Sequence, residues 1–128
     1  MNSLILDPKA DRPGVILDPE NNKFELYGKS LPEDTNEFFD PIISYFQAYS
    51  NNPNKKTEFV FNLEYYNSAS VRKIVNFLTI LEKMSQNNHE VSVIWKYEET
   101  DEIMKDNGED FKETVNIPFS IESFKFDF

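Results

Sequence analysis

The most constraining feature of this sequence is a strand pattern that runs directly into a helical pattern. Apolar side chains alternate along 59–65, and Val60 adds an apolar residue on the opposite face, which predicts a central strand. A polar turn at 67–70 leads into apolar residues at helical spacing over 71–84. A second alternating pattern follows at 91–97. Strand, helix and strand in this order predict an α/β fold.

The other predicted elements follow in chain order. The first is a hairpin with strands at 15–18 and 23–28, followed by a helix at 35–50 whose start carries the capping pair Asp34 and Glu37. A short helix within 99–113 should break near 107–108. The last strand covers 119–121 and 124–128, and its apolar residues change phase near Glu122-Ser123, which predicts a bulge or a strand end there. The order β-β-α-β-α-β-α-β predicts one domain over residues 1–128, with a mixed sheet of four or five strands and helices mainly on one face. The predicted core residues are Phe59, Phe61, Leu63, Val91, Val93 and Trp95 in the sheet, and Phe39, Ile42, Phe46, Val71, Val75 and Leu78 on the helices.

Charge and composition exclude several classes of protein. The chain has 13 basic and 23 acidic residues, a net charge of −10, which opposes binding to nucleic acid or to an anionic membrane surface. It has no cysteine and a single histidine, so we expect no thiol chemistry, no metal site and no cofactor. The apolar run Leu4-Ile5-Leu6 is too short for a signal-peptide core, so we expect a cytoplasmic protein.

Three possible chemical sites are better explained as ordinary structure. Gly28-Lys29-Ser30 resembles the end of a phosphate-binding loop, but Lys23 stands where that motif requires glycine, so a turn is predicted. His89 lies at a predicted helix-to-strand turn, and the sequence identifies no serine or aspartate partner for catalysis, so a solvated loop residue is predicted. The carboxylates of 98–110 fit no calcium loop and are typical of a solvated helix face.

The turn after the central strand is the strongest candidate site. Asn67 or Ser68 could cap the following helix by accepting a hydrogen bond from its first turn. The same helix terminus could also hold a phosphate on a serine, with Arg72 as a charged partner one turn further on.

The segment 61–70, Phe-Asn-Leu-Glu-Tyr-Tyr-Asn-Ser-Ala-Ser, resembles the SiaC family of bacterial regulatory phosphoproteins. Leu31-Pro32-Glu33, the strand at 91–97 and the acidic segment after it are similar too, so the resemblance extends from about Gly14 to Ile121. The resemblance implies a STAS-like fold and a non-enzymatic switch. A serine/threonine kinase would phosphorylate a hydroxyl at the helix start, a PP2C-type phosphatase would remove the phosphate, and the unmodified protein would bind an output partner, a diguanylate cyclase that makes cyclic di-GMP in biofilm-type signalling.

The resemblance also assigns roles to individual residues. Ser68 stands where the family has the acceptor threonine, and Ala69 replaces the next hydroxyl, which leaves Ser70 as the second choice. The implied partner-binding residues are Tyr66, Asn67, Ser68, Ser70 and Arg72. Two alternatives remain: an anti-sigma-factor antagonist whose partner is an anti-sigma kinase, and a small acidic ligand-binding or hydrolase domain that uses the carboxylates of 98–110.

Overall fold

A computed structural model describes residues 1–125 of the protein. The strands are β1 Leu4–Leu6, β2 Gly14–Asp18, β3 Lys23–Ser30, β4 Lys56–Tyr66, β5 Glu90–Glu98 and β6 Phe119–Phe124, and the helices are α1 Thr35–Ser50, α2 Ser68–Gln86 and α3 Glu102–Thr114.

The strands form one mixed sheet in which spatial order equals chain order. β1, β2 and β3 pair antiparallel, and β3 to β6 pair parallel. Right-handed crossovers that all step in the same direction place their helices on one face of a sheet. The ring contacts agree, because Phe46 of α1 and Phe77 of α2 both pack on Phe59, while Phe111 of α3 packs on Trp95.

The sheet has six strands, so the expectation of four or five was wrong. The additional strand is β1, which pairs with β2 through Leu4↔Leu17 and Leu6↔Val15. Leu4 and Leu6 pack against the core, and Ile5 points outward with 55% of its surface exposed. Three residues are too few to establish a period of two, so this strand had no readable pattern in the sequence.

The core is largely aromatic, and most of its predicted members are buried. Phe59, Phe61, Leu63, Val91, Val93 and Trp95 are buried in the sheet, and Phe39, Ile42, Phe46 and Leu78 are buried on the helices. The prediction that Val75 belongs to the core is wrong, since 39% of its surface is exposed, and Val71 is only partly buried. The buried stripe of α2 is instead centred on Ile74, Phe77 and Leu81.

Helix α3 is continuous where a break was predicted near 107–108. Gly108 lies against the indole of Trp95, and a Cβ at this position would stand only 2.4 Å from the indole Cδ1. The same indole donates a hydrogen bond from Nε1 to the Met104 carbonyl at 2.9 Å. The glycine therefore permits close packing of α3 on β5 and does not end the helix.

Two further predictions need correction. Gly28 lies within β3, with φ +90°, where the register with β4 shifts between Gly28 and Lys29, so the expected turn is a strand irregularity. The bulge predicted near Glu122-Ser123 is wrong, because the pairing of β6 with β5 is regular from Phe119 to Phe124, whereas the alternative of a strand end agrees with the end of β6 at Phe124. Phe126 and Phe128, which were assigned to the same strand, lie outside the described residues.

Candidate functional site: the groove beside Ser68

Two helices begin side by side at one edge of the sheet. β3 and β4 are parallel neighbours, so α1 and α2, which follow them, both start at the carboxyl ends of the strands. Asp34 caps α1 by accepting a hydrogen bond from the Glu37 amide at 3.0 Å. Asn67 caps α2 by accepting one from the Ser70 amide at 3.0 Å. The second of these capped ends, at 67–70, is the turn that the sequence singled out.

A buried pair of serines fixes that turn to the end of β3. The hydroxyls of Ser30 and Ser70 are 2.8 Å apart, and both residues are 1% exposed. The Ser70 hydroxyl donates to Asn67 Oδ1 at 2.7 Å, and the Asn67 amide donates to the Ser30 carbonyl at 3.0 Å. Ser70 is thus enclosed and hydrogen-bonded, which is a poor situation for a residue that a kinase must reach.

Ser68 has the opposite environment. It is the first residue of α2 and is exposed, and its hydroxyl has no hydrogen-bond partner within residues 1–125. The capping role that the sequence divided between Asn67 and Ser68 belongs to Asn67. The Ser68 side chain is therefore free to be modified without the loss of the cap.

Ser68 borders a groove of about 1290 Å³. The N-terminal segment 4–12, the start of α1 and the start of α2 form its walls. Its apolar lining consists of Leu4, Ile5, Leu6, Phe38, Pro41, Ile42 and Ala69. Its charged lining consists of the cations Lys9, Arg12, Arg72 and Lys73 and the carboxylates Asp7, Glu33, Asp34 and Glu37. Equal numbers of the two signs make the groove locally neutral on a chain of net charge −10.

The cations of the groove differ in how they are engaged. Lys73 is nearly enclosed, with 10% of its side chain exposed, and its Nζ lies 3.2 Å from Oδ1 of Asp40 on α1. Nε of Arg12 lies 3.9 Å from Oδ2 of Asp11, and the guanidinium carbon lies 5.8 Å from the centre of the Phe38 ring. Arg72 is exposed and makes no ion pair within the described part of the chain.

The structure divides the five residues predicted to bind a partner. Ser68 and Arg72 line the groove, while Asn67 and Ser70 build the turn beneath it. Tyr66 lies apart and packs on Trp95 and Phe111 at 6.2 and 6.3 Å between ring centres. Burial, and then the charge of Asp110, raises the Tyr66 pKa to about 12, so the phenol is neutral at neutral pH.

The sequence did not reveal the other walls of the groove. Leu4, Leu6, Lys9 and Arg12 come from a segment that carried no periodic signal. The pairing of β1 with β2 and a hydrogen bond from the Leu31 amide to the Asp11 carbonyl at 2.8 Å hold this segment in place. Phe38 could have been found, since the Asp34 cap fixes where α1 begins and parallel strands place successive helix starts at one edge.

The acidic segment 98–110 forms no comparable site. Among residues 1–125, no group of three or more histidine, aspartate or glutamate side chains is arranged to hold a metal ion. A smaller cavity of about 410 Å³ adjoins Glu64, Glu98 and Asp101, of which Asp101 caps α3 by accepting from the Met104 amide at 3.0 Å. No helix in the described range is long and apolar enough to cross a membrane.

Known proteins resemble this chain over nearly its whole length. A family model described as SiaC family regulatory phosphoprotein matches residues 6–124. A protein of Pseudomonas aeruginosa, described as uncharacterized, is 25% identical over 123 residues that cover 96% of this chain and 98% of that protein. The structure of SiaC of Pseudomonas aeruginosa matches with a TM-score of 0.88 at 24% identity, over 97% of this chain and 100% of that one.

SiaC has also been solved with a partner. A crystal structure of the diguanylate cyclase SiaD in complex with its activator SiaC, from the same organism, contains a chain that matches with a TM-score of 0.89 at 25% identity. That match covers 94% of this chain and 99% of the other. The fold and the site define an α/β domain with an exposed serine at the start of a helix. The protein belongs to the SiaC family of regulatory phosphoproteins.

Proposed function

We propose that this protein is a non-enzymatic cytoplasmic regulator that binds and activates a diguanylate cyclase, and that phosphorylation of Ser68 prevents the binding. A serine/threonine kinase adds the phosphate and a PP2C-type phosphatase removes it. Membership of the SiaC family and the similarity to SiaC, which activates a cyclase, support the output partner. The observation that carries the switch is the contrast between Ser68, exposed at the groove, and Ser70, buried beneath it.

Phosphorylation of Ser68 is compatible with the fold. A phosphate adds about −1.5 to −2 charges at neutral pH. At the start of α2 the free amides and the helix dipole stabilise such a charge by roughly 0.3–1 kcal/mol. The Asn67 cap and the serine pair below it make no use of the Ser68 hydroxyl, so the modified protein keeps them.

A docked partner tolerates the phosphate far less well. The groove has several apolar lining residues and is neutral overall, so a surface that fits it excludes water from the part of the groove that Ser68 lines. A phosphate enclosed there loses its hydration, and burial of an unpaired charge is costly. The same residue therefore leaves the fold intact and blocks the interface when it is phosphorylated.

Variants of Ser68 test this proposal. Mass spectrometry after treatment with the cognate kinase should place the phosphate on Ser68, and Ser68→Ala should abolish labelling while it keeps cyclase binding. Ser68→Glu should fold but bind poorly. Ser44→Glu, which adds the same charge on an exposed position of α1 outside the groove, should bind normally.

Three results would contradict the proposal. Phosphate on another residue, or equal binding by Ser68→Ala and Ser68→Glu, would remove the switch from this site. Capture of an anti-sigma kinase in place of a cyclase would assign the protein to a sigma-factor pathway.

A further inference from the structure

Arg72 is the cation best placed to respond to Ser68. The two residues are separated by four positions on α2, and side chains at this spacing lie on one face of a helix with their Cβ atoms roughly 5–6 Å apart. Both line the groove. Any group added to the Ser68 hydroxyl therefore projects into the space that the Arg72 side chain can reach.

Two of the other three groove cations are already engaged, while the third, Lys9, lies on the N-terminal segment and makes no ion pair among residues 1–125. Lys73 pairs with Asp40, and Arg12 lies near Asp11 and over the ring of Phe38. Arg72 has no such partner among residues 1–125, although the groove also contains the carboxylates Asp7, Glu33, Asp34 and Glu37. Although the chain carries a net charge of −10, an unpaired guanidinium beside the apolar residues of the groove is locally complementary to a carboxylate that arrives with a partner.

We propose that Arg72 is a recognition residue with two alternative ligands: a carboxylate of the cyclase segment that docks in the groove, and the phosphate of Ser68 once that serine is modified. This inference rests on the proposed function and adds the chemistry of the partner segment, an apolar side chain flanked by an acidic one. A guanidinium binds carboxylate and phosphate with the same planar pair of donors, so the two ligands compete for one group. The phosphate is in the same molecule, which gives it the advantage of a high effective concentration.

A phosphate titration tests the intramolecular half. Phosphoserine is incorporated genetically at position 68, so that the protein is obtained without the kinase, and the phosphorus NMR shift is followed against pH. The second pKa of a serine phosphate is about 6. Contact with Arg72 favours the dianion, so this pKa should be lower in the wild type than in Arg72→Gln by roughly 0.3–0.7. Lys83→Gln, at an exposed position near the other end of α2, should match the wild type.

Partner binding by the unmodified protein tests the other half. Arg72→Gln should bind the purified cognate cyclase about tenfold or more weakly, Arg72→Lys should recover part of the loss, and Lys83→Gln should bind normally. Equal phosphate pKa values in wild type and Arg72→Gln would overturn the proposal. Unchanged cyclase binding by Arg72→Gln would also overturn it. So would self-association of the free wild-type chain that Arg72→Gln abolishes, because a second copy of the chain would then be the occupant of the groove. A wild-type chain that binds no cyclase would refute the proposed function, whereas the titration would still decide whether Arg72 receives the phosphate.

Discussion

Removal of the Ser70 hydroxyl should destabilise the protein, although a serine-to-alanine change is chemically small. The Ser70 hydroxyl faces two oxygens that can only accept, Asn67 Oδ1 at 2.7 Å and the Ser30 carbonyl at 3.2 Å. Since its single proton goes to one of these, we assign Ser70 as the acceptor at the 2.8 Å contact between the two hydroxyls. Ser70→Ala therefore leaves the buried Ser30 hydroxyl without this acceptor. An unsatisfied buried polar group costs about 1–3 kcal/mol, so we expect a loss of that size in the free energy of unfolding from urea titrations. Ser68→Ala, at an exposed position, should change it by less than about 0.5 kcal/mol.

The double variant separates this reasoning from a general loss of packing. Ser30→Ala removes the hydroxyl that Ser70→Ala leaves without an acceptor. The free energy of unfolding of the double variant should therefore be little lower than that of Ser70→Ala alone, with a coupling energy of about 1 kcal/mol. Additive losses, or a Ser70→Ala protein as stable as Ser68→Ala, would refute the proposed hydrogen-bond network.

Three further perturbations follow from the packing. Asp34→Ala removes the cap of α1 and should lower the free energy of unfolding by about 1 kcal/mol in thermal melts followed by circular dichroism. Gly108→Ala gains about 1 kcal/mol of helix propensity but drives a methyl group into the Trp95 indole, so the net result should be a lower Tm with altered tryptophan fluorescence, and a higher Tm would contradict the contact. Tyr66 should ionise near pH 12. The difference in near-ultraviolet absorbance between the wild type and Tyr66→Phe measures this ionisation, and Tyr65→Phe is the control at an exposed tyrosine. Since the folded pKa is raised from 10.0 to about 12, the stability that Tyr66 contributes is complete below pH 10 and is lost as the pH rises towards 12, and a Tyr66 that ionised near pH 10 would contradict the burial.

The elements with strong periodicity were predictable from the sequence, and those defined by pairing were not. The alternation at 59–65 and the capping pair Asp34 and Glu37 both identified real elements, β4 and α1. β1 was not predicted, because three residues become a strand only when a neighbouring strand supplies the hydrogen bonds. Gly108 was misread because a glycine weakens a helix in isolation, while here the Trp95 ring occupies the space of its side chain.

The candidate site was predictable as a turn but not as a surface. Local chemistry placed Asn67 and Ser68 at a helix start, because a cap and its helix are neighbours in sequence. The burial of Ser70 depends on Ser30, forty residues earlier, and only the β3–β4 pairing brings the two together. The groove is likewise formed by segments 4–12 and 33–42 together with α2, and no local sequence pattern predicts that these three segments lie side by side.

The most direct test of the proposed switch is the production of cyclic di-GMP by the purified cognate cyclase in the presence of this protein. Protein carrying phosphoserine at position 68 is compared with the unmodified chain at equal concentration. The unmodified chain should activate the cyclase, the phosphorylated one should leave it near its basal rate, and a PP2C-type phosphatase should restore activation. Equal activation by the two forms, or none by either, would contradict the account.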